Sequence, residues 1–197
     1  AYAERLGWAV FPVAGDCRRP LIKGGCHAAS SDAQQVARLF GREANIALAT
    51  GRASGVMVLD VDVKGPADGL TTLAVLEDEN GRLPPTWEAM TPTGGRHLYF
   101  ALPAVRLRNR VGFEPGLDLR TDGGSVALPP SRRPDGRYRW IDRPGDLPLA
   151  QAPDWLVGLM TPHPAPFSQP RTPERRRFGR ERTLRYLEAV VDGECGA

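Results

Sequence analysis

Val56-Met57-Val58-Leu59-Asp60-Val61-Asp62 is the stretch on which the reading of this 197-residue chain turns. The run is apolar, rich in β-branched residues and followed by polar loop, so it reads as a buried strand. Side chains two residues apart on a strand share a face. Asp60 and Asp62 therefore project together from the end of a stiff element. Like charges held so close repel unless a cation neutralises them or one carboxyl keeps its proton. A divalent ion bound through oxygen, magnesium or manganese, meets that need. A strand that merely ends in Asp at a turn is the plain alternative, so the decision rests on what surrounds the pair.

Two further segments make sense with it. In Thr91-Pro92-Thr93-Gly94-Gly95-Arg96-His97-Leu98-Tyr99-Phe100, two glycines let backbone approach a ligand and turn N–H groups toward an anion. His97 then opens a strand, with Tyr99 on its own face and Leu98 on the other. In Gly116-Leu117-Asp118-Leu119-Arg120-Thr121-Asp122-Gly123-Gly124, Asp118 sits between apolar residues, which is costly for a carboxylate without a partner. Arg120 shares its face and could pair with it; a metal shared with Asp60 and Asp62 is the other solution. Three carboxylates, a glycine-flanked His and an Arg form an inventory for two-metal phosphoryl transfer.

The pattern along the chain predicts an α+β domain with a mixed or largely antiparallel sheet. A helix turn over residues 2–6 is closed by Gly7, and strands are expected at 8–13, 45–49 and 56–61, the last two joined by a turn. Ser31-Asp32-Ala33-Gln34 has the form of a capping box opening a helix to about Phe40. A second helix covers 70–79, strands at 88–91 and 97–102 flank a tight turn, and three more follow at 117–120, 125–128 and 138–141. A short helix at 154–160 closes the first domain, residues 1–160. Prolines at 162, 164, 166, 170 and 173 mark 161–174 as a linker, and 175–197 reads as the start of a helical region cut short.

Composition narrows the class. Hydrophobic content of 41% and charged content of 25% suit one globular core. No run approaches a membrane span and no secretory signal opens the chain, so no membrane partner is expected. The first residue is Ala, as in an excised or processed fragment. Three cysteines without framework spacing suggest a reducing, cytoplasmic setting. Cys17, Cys26 and His27 lack a fourth ligand and the usual spacing, so no structural zinc is expected. Of 26 basic residues only Lys23 and Lys64 are lysine, and the net charge is +3. Arginine favours bidentate contacts with phosphates and bases, although a GC-rich genome yields the same bias. Local clusters at Arg106, Arg108 and Arg110, at Arg132 and Arg133 with Arg137 and Arg139, and from Arg171 to Arg185 are the candidate DNA contacts.

In this order the pieces resemble the bifunctional DNA primase/polymerase N-terminal domain of the archaeo-eukaryotic primase superfamily. The resemblance runs from Tyr2 to about Leu159. It includes Gly7-Trp8-Ala9-Val10-Phe11-Pro12-Val13, the Asp60 and His97 segments, Leu117-Asp118-Leu119-Arg120, Pro129-Pro130-Ser131 and Tyr138-Arg139-Trp140. It implies an RRM-like catalytic sheet with a second small α/β unit. It also implies a template-dependent nucleotidyltransferase, primase or polymerase or both, acting on DNA template and primer with NTP or dNTP. Asp60, Asp62 and Asp118 would hold two Mg²⁺ or Mn²⁺ ions and His97 would contact phosphate. Gly95 stands where this family often has Ser, leaving backbone N–H groups or Thr93 to substitute. Arg18 and Arg19 precede Pro20 where Lys is usual. Gly94, Gly95, Arg96, Arg120 and Ser131 complete the expected nucleotide contacts. A helical priming domain or a helicase in the full-length chain is the expected neighbour.

Without the resemblance, the same carboxylates would serve a metal-dependent nuclease or phosphohydrolase, and a non-catalytic nucleic-acid-binding module is a further possibility. Extension or shortening of a labelled primer separates the two enzymes, and metal-dependent nucleotide binding argues against the third. The arginine-rich segment carries its own expectation. Deletion after residue 160 should spare nucleotide binding and weaken template binding. Template affinity should then depend less steeply on salt, by about 0.7 in slope for each phosphate that is no longer neutralised. Identical slopes in a salt titration of both chains would mean that the segment does not touch DNA.

Overall fold

The computed structural model describes residues 2–41, 43–64 and 68–161, all within one compact unit that ends at Thr161. The expected linker beyond that point and the expected helical start at 175–197 lie outside the described residues. The Asp60 strand, β3 (Val56–Val61), is an interior strand of a six-stranded sheet. Here strands are numbered in chain order, and their ranges are β1 (Val10–Val13), β2 (Asn45–Ala49), β4 (Glu88–Met90), β5 (Arg96–Ala101), β6 (Arg110–Glu114) and β7 (Leu117–Arg120). After them come β8 (Ser125–Ala127), β9 (Arg132–Arg133), β10 (Gly136–Arg137) and β11 (Arg139–Asp142). The large sheet runs β11-β4-β5-β3-β7-β6, a smaller one runs β1-β2-β8, and β9 pairs with β10. Every ladder between these strands is antiparallel.

Alternation along β3 explains the layering. Met57, Leu59 and Val61 bury one face with Phe100, Leu117 and Leu119, beneath Leu73 of α3 (Gly69–Asn80) and Leu156 and Met160 of α4 (Asp154–Met160). Val56 and Val58 bury the other face with Tyr99, against Trp8, Val10, Leu48 and Val126 from the small sheet and its approach. β3 is thus apolar on both faces along most of its length, which is why the segment reads as a continuous apolar run. Helices α1 (Tyr2–Leu6) and α2 (Ala33–Leu39) lie beside the small sheet, with Tyr2, Leu6 and Val36 against the same core. No helix among the described residues is long and apolar enough to cross a membrane.

Several local expectations change. The expected turn between β2 and β3 is present, and it passes the chain from the small sheet to the large one, with a single bridge between Gly51 and Val56. The cap of α2 is Asp32, whose carboxylate accepts from Gln35 N at 2.7 Å, so the helix begins one residue later than a Ser31 cap would place it. Strands β6, β9 and β10 were not expected. β6 is an edge strand, exposed over Arg110–Gly112 and shifted in register, and β9 and β10 are two residues each. Such elements have no apolar alternation to betray them.

Ser131 is also placed differently from its expected role as a nucleotide contact. It is 3% exposed, accepts from Ile46 N at 2.9 Å and donates to Ile46 O at 3.1 Å. Its hydroxyl is spent on joining the loop before β9 to β2. Ser131→Ala should therefore lower stability by about 1–3 kcal/mol, the cost of stranding buried backbone groups. A urea melt checks this; superimposable curves would show that these bonds contribute nothing.

Candidate functional site

The register of three strands builds the site. Asp60 on β3 lies opposite His97 on β5 and opposite Asp118 on β7. Directly opposed residues share a face and stand side by side, so Asp118, Asp60 and His97 form a row across the sheet. One step along the same face, Val58 lies between Tyr99 and Arg120. Asp60 and His97 stand where cover by the small sheet gives way to a cleft of about 360 Å³, whereas Asp118, behind Arg120, is not among the residues that line it. Asp60, Asp62, His97, Thr93 and Arg120 line one side of this cleft, with Cys17, Arg18, Arg133 and Tyr138 among its other walls.

Glycines allow the close approaches that hold Asp62. Its N–H donates to Gly116 O and its carbonyl accepts from Gly69 N, both at 2.8 Å. A Cβ on Gly69 would come within 2.3 Å of Gly116 O, so a side chain there would push the α3 start away from Asp62. Gly95 does the same for the other wall, since its Cβ would fall 2.4 Å from Val61 O. The Gly94 amide donates to Thr91 O at 3.1 Å, inside the turn. The expectation that the two glycines offer their amides to an anion is therefore corrected for Gly94, whose N–H is spent inside the turn, and Gly95 permits the close approach of Val61 O. Thr93 does line the cleft, its hydroxyl 3.3 Å from that of Thr91.

Electrostatics divides the carboxylates. Asp118 accepts from Gly112 N at 2.6 Å and from Arg120 Nη2 at 2.6 Å. Arg120 also stands 3.6 Å from Asp60, whose other oxygen is 3.4 Å from His97 Nε2. Burial alone would raise the Asp60 carboxyl, but the hydrogen bond and charge of His97, with those of Arg120, outweigh it and leave the group below its ordinary value. Asp62 is exposed, and its carboxyl is raised by burial and by the charges of Asp60 and Asp118, against the pull of His97 and Lys64. His97 Nδ1 and Arg120 Nε are buried without hydrogen-bond partners. Among the described residues, no group of three or more His, Cys, Asp or Glu side chains already stands as a metal cage. Arg120 now occupies part of the charge balance that a cation would provide.

The remaining expected residues separate. Arg96 faces away from the row, because alternation puts it opposite to His97; it pairs with Glu88 at 2.6 Å on the helix-covered side. Its expected nucleotide contact is corrected accordingly. Arg133 lines the cleft, whereas Arg132 is exposed with its backbone held by Asn45. Arg106 and Arg108 are exposed outside the cleft, and Arg110 donates to Leu159 O at 2.8 Å. The thiols of Cys17 and Cys26 donate to the carbonyls of Arg132 and Gly123. Sequence reasoning missed Tyr138, a buried aromatic among arginines, as a wall of the cleft.

A family model described as the N-terminal domain of bifunctional DNA primase/polymerase matches residues 1–155, which include the whole row and the cleft. No curated protein matches the chain. The α+β architecture, with antiparallel sheets and few helices, agrees with that family's fold.

The two carboxyl shifts have opposite consequences for the metal-free protein. The depressed Asp60 contributes stability above the ordinary carboxylate range, lost as pH falls through its folded value. The raised Asp62 costs stability once pH exceeds its folded value. In metal-free buffer at pH 7, Asp62→Asn should melt above wild type and Asp60→Asn below it. The Asp62 difference should fade as the pH falls from its raised folded value toward about 4, and the Asp60 difference as the pH falls below about 4. Scanning calorimetry across pH tests the pair, and equal shifts of one sign would refute this division.

Proposed function

We propose nucleotidyl transfer in this cleft from one premise: the chain belongs to the family of bifunctional DNA primase/polymerase N-terminal domains. At the level of that family the activity is that of a DNA primase/polymerase. The observation that supports the assignment to this place is the cross-strand row Asp118–Asp60–His97, inside the matched residues, with Asp60 and His97 lining a polar cleft. A cleft of about 360 Å³ falls in the range that takes small ligands.

Asp60, Asp62 and Asp118 are the residues we assign to two Mg²⁺ or Mn²⁺ ions. Carboxylate oxygens suit such hard ions. Asp62, whose carboxyl is raised by burial and by the charges of the other two, has most to gain from a nearby cation. When bound, the ions would supply activation of the attacking 3′-hydroxyl and neutralisation of the triphosphate and leaving pyrophosphate. The protein's part is to place and balance charge. Arg120, released from Asp60 and Asp118, becomes a free cation for the phosphates. His97 presents a ring fixed by its neighbours, Thr93 offers a hydroxyl, and Arg18, Lys64 and Arg133 bring positive charge to the same cleft. Holding these groups in line with the primer end is where the rate gain would come from.

Exposed Arg106, Arg108, Arg110 and Arg132 are assigned to the DNA template and primer, as backbone-positioning contacts. The substrates are NTP or dNTP, and a helical priming domain or helicase in the full-length chain would be the functional neighbour.

On a primed template, the wild-type chain should lengthen the primer, and Asp60→Ala, Asp62→Ala and Asp118→Ala should each abolish incorporation. Primer shortening would favour the nuclease reading instead, and wild-type incorporation by any of the three would sink the metal assignment. His97→Ala should weaken nucleotide binding by about 1.5–3 kcal/mol, the range for a hydrogen bond to a charged group. Calorimetric titration measures it; unchanged affinity would make His97 a packing residue only.

A further inference from the structure

Strand β8 has a single neighbour. The small sheet runs β1-β2-β8, so the far side of β8 is a sheet edge. Its three residues, Ser125, Val126 and Ala127, all line the cleft that Asp60 and His97 line. An edge strand carries backbone N–H and C=O groups that its own sheet does not use. Here that edge belongs to the wall of the candidate site.

The register says which groups these are. Along an antiparallel ladder, opposed residues alternate between pairs that exchange backbone bonds and pairs that do not. Leu48 lies opposite Val126. In step with that pair, Thr50 N donates to Gly124 O at 3.0 Å and Leu128 N to Ile46 O at 2.9 Å. Bonding to β2 thus falls at Gly124, Val126 and Leu128. Ser125 and Ala127 lie between them, opposite Ala49 and Ala47, and their N–H and C=O groups point away from β2. The other side of β2 agrees: Ala49 and Ala47 turn to β1, and Ala49 N donates to Ala9 O at 2.9 Å. Among the described residues, the backbone groups of Ser125 and Ala127 have no partner. Ala127 is 6% exposed, so its peptide groups are costly to leave unmet, and a ligand in the cleft can meet them.

The charge of the cleft lies elsewhere. Arg18, Lys64, Arg120 and Arg133 line it as cations, whereas residues 125–127 bring no charge. Phosphates belong with the first group. The sugar and base of a nucleotide are neutral and hold hydrogen-bond donors and acceptors. One strand residue with outward N–H and C=O offers one of each.

We infer that the open edge of β8 receives the nucleoside part of the bound nucleotide, through the backbone groups of Ser125 and Ala127. This rests on the nucleotide reading above and deepens it. Contacts made by main chain depend on no side chain at these positions. A sugar is common to every nucleotide, and along one edge the bases offer nearly the same acceptors. The four dNTPs should therefore be held alike, which leaves the choice of base to the template.

Backbone amide hydrogen exchange in the full chain, read by NMR with magnesium present, tests this. In the free protein the Ser125 and Ala127 amides should exchange faster than that of Val126, which is bonded to β2. Each of the four dNTPs should slow at least one of the two by about tenfold, the scale of one hydrogen bond gained. Inorganic tripolyphosphate should slow neither. 2-Deoxyribose 5-triphosphate separates the neutral parts: slowing assigns the edge to the sugar, and unchanged exchange assigns it to the base. Exchange unaltered by dNTPs that calorimetry shows to bind, or slowed equally by tripolyphosphate, would overturn the role of β8 and leave the nucleotide reading standing. Failure of every dNTP to bind would overturn both.

Discussion

The structure depends on one constraint: the register in which β3 lies between β5 and β7. That register is fixed by burial. Met57, Leu59 and Val61 are needed under the helices and Val56 and Val58 against the small sheet, so a slip of one residue would turn every side chain to the wrong face. The same register carries Asp60 to a point between His97 and Asp118. Two carboxylates and a histidine are thereby held side by side by the packing energy of the core. The site needs no separate stabilisation as long as the core forms.

Charge then explains why the row sits at the edge of cover. On the same buried face, the next positions are filled by Val58 of β3 and Tyr99 of β5, where an unpaired carboxylate would be costly. At Asp60 the cost is met by His97 and Arg120; at Asp62 it is met by exposure to water. Arg120 links Asp118 to Asp60 and so keeps the metal-free row from repelling itself. The arrangement holds together without a cation, yet burial and both neighbours still raise the Asp62 carboxyl against the pull of His97 and Lys64.

Much of this was legible in the sequence, for physical reasons. A strand buried on both faces must be a continuous apolar run, and a change to Asp at alternate positions marks where burial ends. His97 and Asp118 were legible because each begins or interrupts a similar run. Period-two alternation also contained the correction to Arg96, which cannot share a face with His97. What the sequence did not display is set by tertiary contact. The assignment of β2 and β3 to different sheets, the spending of the Ser131 hydroxyl on Ile46, and the approach of Gly95 to Val61 all depend on partners far along the chain. β6 and the β9–β10 hairpin are exposed or too short to carry a pattern, and Tyr138 gains its place only through them.

The central claim is that the carboxylate row at the end of β3 is where metal and nucleotide meet. Manganese is paramagnetic, so a substoichiometric titration in the presence of dNTP, followed by backbone amide signals, reads the location directly. The account predicts that the amides of Asp60, Asp62, His97 and Asp118 broaden first, together with Gly69 at the start of α3, and before those of α4 and the far end of α3. Broadening centred on Cys26 and His27, or none at the row while dNTP is bound, would contradict it.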